Sequence, residues 1–263
     1  MTDRLRGPGP VLGLWSVTAD PMLLDVSAAL LPDFLVIDTQ HGAPMARLTT
    51  ETLGAVAFYD VPALVRVPSI DPAQIGRALD LGAAGIIAPL VNDAEGARLA
   101  ALSCRYAPDG IRSYGVQTPR IDPFAEDYRP LCAVQIETAA AVENVDEIAA
   151  VDGVDWLYIG PADLGLSVGG VPAPDVISVF DGSHPLAVPM QDAFRLVVEA
   201  AERHGKLAGL HCNGGEAALQ LLAHGFGVTA VATDLGAALK GMANELKIAR
   251  GVSGRAGLGD LET

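Results

Sequence analysis

Short apolar runs alternate eight times with longer segments whose apolar positions recur at helical spacing, and this alternation most narrows what the chain can fold into. Runs of that length, bounded by Gly, Pro or Asp, suit strands buried on both faces. The helical segments between them return the chain across the sheet, so neighbouring strands are parallel. The expected strands are Val11 to Trp15, Phe34 to Asp38, Ala63 to Arg66, Gly85 to Ala88, Cys132 to Ile136, Trp156 to Ile159, Leu207 to Leu210 and Val228 to Ala232. The expected helices are Pro21 to Leu30, Thr49 to Tyr59, Pro72 to Leu81, Ala94 to Cys104, Ala139 to Ala150, Gln191 to His204, Glu216 to His224 and Ala237 to Arg250. With 263 residues, half of them apolar, the chain can fill one large core. The reading is α/β, a single (β/α)8 TIM barrel, with residues 1–10 and 251–263 as peripheral tails. A doubly wound open sheet would need a glycine-rich turn after the first strand, and Trp15-Ser16-Val17-Thr18 offers none.

Local punctuation agrees with this order. Asp71 before Pro72 is an N-cap followed by proline at the first helical position, and Gly82, Gly205 and Gly225 stand where left-handed C-caps are wanted. Two connections, Ala107 to Arg129 and Gly165 to Pro189, are weakly periodic and long enough to be expected to cover or build a site.

A net charge of −15 repels phosphate backbones and anionic lipid, which excludes nucleic acid and membrane surfaces as partners. An anionic substrate must then be drawn by a local positive group. Cys104, Cys132 and Cys212 are odd in number and widely spaced, so neither a disulfide framework nor a zinc ribbon is signalled, and a cytoplasmic location is expected.

Barrel active sites lie at the carboxyl ends of the strands, where this chain places Asp38 and His41, Arg66, Gln135 and Glu137, Gly160-Pro161-Ala162-Asp163, His211, and Thr233-Asp234. Two carboxylates converging on one mouth, Glu137 and Asp163, repel unless protonated, bridged by arginine or bound to a cation, of which a metal is the simplest relief; alternatively each is a helix cap or salt-bridge partner. Arg66 either forks an anion or pairs with a strand-end acid. His41 follows Asp38 by three residues, so the acid could orient the imidazole as a general base, or the histidine is simply solvated. The N–H groups of Ala162 and Asp163 could hold a carboxylate, or Gly-Pro is turn punctuation. His211 and Cys212 read as pocket lining; His184, His204 and His224 as solvated or capping groups. Lys206, Lys240 and Lys247 all lie away from strand ends, which excludes an imine mechanism.

Taken in order, Val36-Ile37-Asp38-Thr39-Gln40-His41, Val65-Arg66-Val67-Pro68, Leu79-Asp80-Leu81-Gly82-Ala83, Arg105 to Arg112, Val134-Gln135-Ile136-Glu137-Thr138 and Ile159 to Leu164 resemble the class II pyruvate aldolases, in the citrate lyase beta-like superfamily. That family is typified by 4-hydroxy-2-oxoheptanedioate aldolase and 2-dehydro-3-deoxyglucarate aldolase. The resemblance runs from about Val11 to Ala249. It implies aldol chemistry between a 2-oxo acid and an aldehyde, with Glu137 and Asp163 holding Mg2+, Mn2+ or Co2+. It further implies that Arg66 stabilises the enolate oxygen, that Gln135 and the Gly160-Pro161-Ala162-Asp163 turn seat the donor carboxylate, and that His41, oriented by Asp38, manages a proton. An acid at the position of Asp80 would sharpen that histidine. Because Asp80 ends a helix on the opposite face of its own barrel, it would have to act across a subunit boundary, implying a homo-oligomer, a hexamer of paired trimers.

Two departures matter. Gln40 stands where many members carry Glu, and the loop from Gly115 to Arg129 is short, with an Arg112-Ser113-Tyr114-Gly115 opening closer to hydroxypyruvate-using relatives. The competing readings are a citryl- or malyl-thioester lyase, which would want a cationic surface for coenzyme A phosphates, and a non-catalytic barrel that binds a small acid. No Lys/Arg cluster is present for the first. The intact strand-end set argues against the second.

Overall fold

The computed structural model describes residues 2–7, 9–118, 122–125, 128–173 and 175–251. Eight parallel strands close into a barrel in sequence order. They are β1 (Val11–Ser16), β2 (Phe34–Asp38), β3 (Ala63–Arg66), β4 (Gly85–Ala88), β5 (Leu131–Ile136), β6 (Trp156–Ile159), β7 (Leu207–His211) and β8 (Val228–Thr233). Outside them lie α1 (Pro21–Ala28), α2 (Thr50–Ala57), α3 (Pro72–Asp80), α4 (Ala94–Ser103), α5 (Ala139–Glu143), α6 (Val145–Ala149), α7 (Pro161–Gly169), α8 (Val176–Phe180), α9 (Ala187–Arg203), α10 (Gly215–Ala223) and α11 (Asp234–Ala249). Every expected strand forms. Asp71 caps α3 by accepting from the Ala73 N–H, and Gly82, Gly205 and Gly225 have φ of +114°, +65° and +88°.

Strand alternation creates two cores. One set of side chains, including Trp15, Phe34, Val36, Leu64, Ile87, Ala133, Trp156 and Tyr158, fills the barrel interior, while the alternate residues pack beneath the helices. Gly13 makes room for the Phe34 ring, which a Cβ there would strike.

Several expectations need correction. The segment from Gly165 to Pro189, expected to be a loop, carries the end of α7, all of α8 and the first turn of α9. Proline misleads here because Pro161, just before the segment, and Pro189, at its end, both occupy first turns, where no backbone N–H is required. The expected single helix from Ala139 to Ala150 breaks at Asn144, whose side chain donates to the Asn92 carbonyl at 2.9 Å. The loop from Ala107 to Arg129 joins α4 to β5 and so lies at the end of the barrel away from the mouth; positions 119–121 and 126–127 fall outside the described residues.

The N-terminal tail is not peripheral. Thr2–Arg6 forms a 3-10 helix that buries Leu5 completely in the barrel-interior cluster. Trp156 Nε1 donates to the Leu5 carbonyl at 2.8 Å, and Arg6 forks onto Asp155 at 2.7 and 3.0 Å. Leu5→Ala should therefore cost about 2–4 kcal/mol in chemical denaturation, as for any large-to-small change in a packed core. A tail that merely rests on the surface would lose almost nothing. Of the other expected tail, 251–263, all but Gly251 lies outside the described residues.

The last helix behaves differently from its neighbours. None of the residues of α11 is buried, and Leu235, Leu239, Met242 and Leu246 form an exposed apolar stripe at helical spacing. Among the described residues no helix is long and apolar enough to cross a membrane.

Candidate active site

The same two-residue period that fills the barrel also aims the chemistry. Asp38, Arg66, Gln135 and Glu137 continue the inward rows of β2, β3 and β5, and Gly160 continues that of β6. They therefore share the mouth at the carboxyl ends of the strands.

Asp38 and Arg66 are register partners on adjacent strands. The guanidinium forks onto the carboxylate, Nε to Oδ1 at 3.0 Å and Nη2 to Oδ2 at 2.5 Å, with both side chains nearly sealed from solvent. Burial pushes the Asp38 carboxyl up, but the Arg66 hydrogen bond and charge, with the N–H groups of Gln40 and His41, outweigh it and hold it below its usual range. Arg66 Nη1 makes no hydrogen bond among the described residues. Trp15 completes this corner, its ring centroid 5.0 Å from the Arg66 guanidinium carbon and its Nε1 donating to Asp38 Oδ2 at 3.4 Å.

This geometry corrects the Asp38–His41 pairing. Asp38 accepts from the backbone N–H of His41 at 3.2 Å, not from its ring, and His41 itself is exposed on the rim. The acid fixes the loop that carries the imidazole and, chiefly, aims Arg66.

Glu137 is buried, its Oε2 accepting from the Leu90 N–H and its Oε1 from Gln135 Nε2, each at 2.9 Å. Burial raises its pKa most; the Leu90 bond opposes this, and the nearby charge of Asp163 raises it further. A Cβ at Gly160 would collide with the Glu137 carboxylate, so glycine leaves that oxygen its space. Asp163 stands exposed in the first turn of α7, where Leu164 makes the first intrahelical bond back to Gly160 and Pro161 needs none. The N–H groups of Ala162 and Asp163, in that first turn, have no intrahelical acceptor.

Among the described residues no group of three or more His, Cys, Asp or Glu converges as a metal site. Two carboxylates of like charge, with no soft donor beside them, fit a hard divalent cation that completes its shell with water and substrate oxygens. Gln135 spends one amide N–H on Glu137, and its buried Oε1 has no partner among the described residues.

Three further side chains line the mouth. Trp15 and Tyr158 were absent from the candidates above, although counting every second residue along β1 and β6 finds both. Their rings stack at 5.9 Å, and Trp15 also meets His211 at 5.4 Å. Burial, then the charge of Arg66, lowers the His211 pKa to about 4, leaving a neutral imidazole at neutral pH. Tyr158 is fully buried, and burial lifts its hydroxyl well above the usual tyrosine range.

Asp80 is not brought to this mouth. It lies at the end of α3 and accepts from Arg112 Nη2 at 2.7 Å, while Arg112 Nη1 donates to the Tyr128 hydroxyl at 2.8 Å. His204 pairs with Asp146, and His184 and His224 bond to local backbone, consistent with surface and capping roles. Asp234 ties the ends of β8 and β1 together, accepting from the Ser16 and Thr18 hydroxyls at 2.7 and 2.6 Å and the Val17 N–H at 3.0 Å.

Comparison with known proteins agrees with this architecture. The chain is 37% identical to a hydroxypyruvate/pyruvate aldolase of Deinococcus radiodurans, covering 88% of this chain and 82% of that protein. It is 33% identical to a 4-hydroxy-2-oxo-heptane-1,7-dioate aldolase of Klebsiella pneumoniae, covering 79% and 77%. A crystal structure of a family protein from Burkholderia cenocepacia superposes with a TM-score of 0.83 at 29% identity, covering 95% of this chain and 98% of that one. With residues 11–240 matching the family described as HpcH/HpaI aldolase/citrate lyase, the chain belongs to that family.

Proposed function

We propose that this aldolase, a carbon–carbon lyase, makes or breaks a bond between a 2-oxo acid donor of the pyruvate or hydroxypyruvate type and an aldehyde, using a divalent cation held by Glu137 and Asp163. The observation that carries this is the buried Glu137 carboxylate, raised in pKa by burial and further by Asp163, in the same ring of strand ends as Arg66, whose Nη1 makes no hydrogen bond among the described residues. When bound, Mg2+, Mn2+ or Co2+ supplies Lewis acidity to the donor's keto group.

The chain's own residues do the rest. The N–H groups of Ala162 and Asp163 bind the donor carboxylate at the start of α7. Arg66, locked by Asp38, presents Nη1 to the oxygen that gains charge as the carbon–carbon bond changes. Gln135 holds the Glu137 carboxylate in its orientation, and Trp15 covers Arg66 and keeps water from it. His41 on the rim takes or gives the aldol hydroxyl proton through water.

We place this barrel in a homo-oligomer of paired trimers, which would cover the bare stripe of α11 and carry Asp80 to a neighbouring mouth. Free, buried Cys104, Cys132 and Cys212 suit a reducing cytoplasm. The thioester-lyase reading gains no support from a chain of net charge −15 without a basic cluster.

The test is pyruvate release from a 4-hydroxy-2-oxo acid, coupled to lactate dehydrogenase. EDTA should slow it by about 100-fold or more, and added Mg2+ or Mn2+ should restore it. A rate indifferent to the chelator would remove the metal from the reaction.

A further inference from the structure

The polar groups of the mouth are unevenly placed around the ring. Arg66 ends β3, Glu137 follows β5, and Gly160 to Asp163 follow β6. A 2-oxo acid seated as proposed above has its carboxylate on the turn after β6 and its keto oxygen between the cation and Arg66. Two of its three carbons are then committed to the arc from β3 to β6, so the third points across the mouth toward β7 and β1. The inward side chains at those strand ends are His211 and Trp15, whose rings lie 5.4 Å apart.

His211 has no ordinary structural explanation. Its Nδ1 is sealed from solvent with no hydrogen-bond partner, and no bond to Nε2 exists among the described residues. The residue as a whole keeps partial exposure at the end of β7. A histidine serving only the fold would have at least one nitrogen satisfied. Here the imidazole rests on an indole and beside Arg66, at the end of a strand whose inward row leads to the mouth.

We propose that His211, supported by Trp15, recognises a hydroxyl on the third carbon of the donor, so that the pocket selects hydroxypyruvate-type donors over pyruvate. This rests on the aldolase reading and on the donor placement given above. A hydroxyl can both donate and accept, which matches either tautomer of a neutral imidazole. A methyl group satisfies neither and leaves the ring dehydrated without compensation, which is why sites built to bind a hydroxyl discriminate against analogues that lack it.

The deciding experiment is titration calorimetry of Mg2+-loaded protein with hydroxypyruvate and with pyruvate, for the wild type, His211→Leu and His211→Gln. Leucine keeps approximate volume without a polar edge, and glutamine restores a donor and an acceptor. The wild type should prefer hydroxypyruvate. His211→Leu should lower the hydroxypyruvate-to-pyruvate affinity ratio by about tenfold or more, and His211→Gln should recover part of it. The ratio of kcat/KM for the two donors with one aldehyde should move in parallel. A ratio in His211→Leu within about twofold of the wild type overturns the proposal, as does a wild type without preference. Because binding is read whether or not a bond is made, failure of all aldol turnover with the binding shift intact would sink the aldolase reading alone. An unshifted ratio in an active aldolase would sink this one alone.

Discussion

Glu137→Gln should reduce turnover by about a thousandfold or more while making the metal-free protein harder to unfold at neutral pH. The two effects share one cause. A carboxylate in this position is desolvated and faces Asp163, which raises its pKa above the ordinary glutamate value. The folded state therefore binds a proton more tightly than the unfolded chain does. The group's contribution to stability is complete below the ordinary glutamate pKa and is lost as pH rises through the elevated one. Glutamine has nearly the same shape and no charge, so it removes that loss together with the metal. Scanning calorimetry in EDTA should show the midpoint of the wild type falling relative to the variant as pH rises out of the ordinary glutamate range. Divalent metal should then raise the wild-type midpoint and leave the variant unmoved. A variant that still turns over, or whose stability tracks the wild type at every pH, would contradict the assignment.

Asp38→Ala should be the most damaging single change to the fold near the mouth, costing about 3–5 kcal/mol, because it strands the buried guanidinium of Arg66 without its partner. Both oxygens of Asp38 are used, each side chain is nearly sealed, and Trp15 closes the third side. Turnover in whatever remains folded should fall by about 100-fold or more, since the guanidinium is no longer aimed. Asp38→Asn keeps the shape and one acceptor and should lose less of both. The sign of the pH effect is opposite to that of Glu137. The depressed Asp38 pKa means its stabilisation is present above the ordinary aspartate value and lost as pH falls through the lower folded one. Denaturant midpoints across acid pH for the wild type and Asp38→Asn measure that difference. Equal acid sensitivity would show that the fork carries little.

The strands were legible because their apolar runs are short, bounded and buried on both faces, so Val36-Ile37-Asp38 and Val134-Gln135-Ile136 announce both an element and its polar tip. Neighbourhood in space was harder to read than neighbourhood in sequence. Asp38 stands three residues from His41 and 28 from Arg66, yet strand alternation turns its side chain inward to the arginine. The burial of Leu5 is not legible because a 3-10 turn has no period to detect, and the groups that hold the turn in place, Trp156 on the Leu5 carbonyl and Asp155 on Arg6, lie far along the chain. Proline hid α7 and part of α9, since a residue that ends helices in their interiors also begins them. Trp15 and Tyr158 lie within apolar runs and read as core, whereas His211, at the polar tip of its strand, already reads as pocket lining.

The seam between β1 and β8 sets when this pocket can come into existence during synthesis. Asp234 grips Ser16 across 218 residues, and Trp15 meets His211 only around that closure. Contacts so remote in sequence must await nearly the whole chain, which leaves the ribosome at roughly 5–20 residues per second. For most of that interval the nascent protein has strands without a ring, and a chain interrupted before α11 lacks the residue that fastens it. Ligand or cation can therefore assist only the final step, by favouring a ring already complete over one still open.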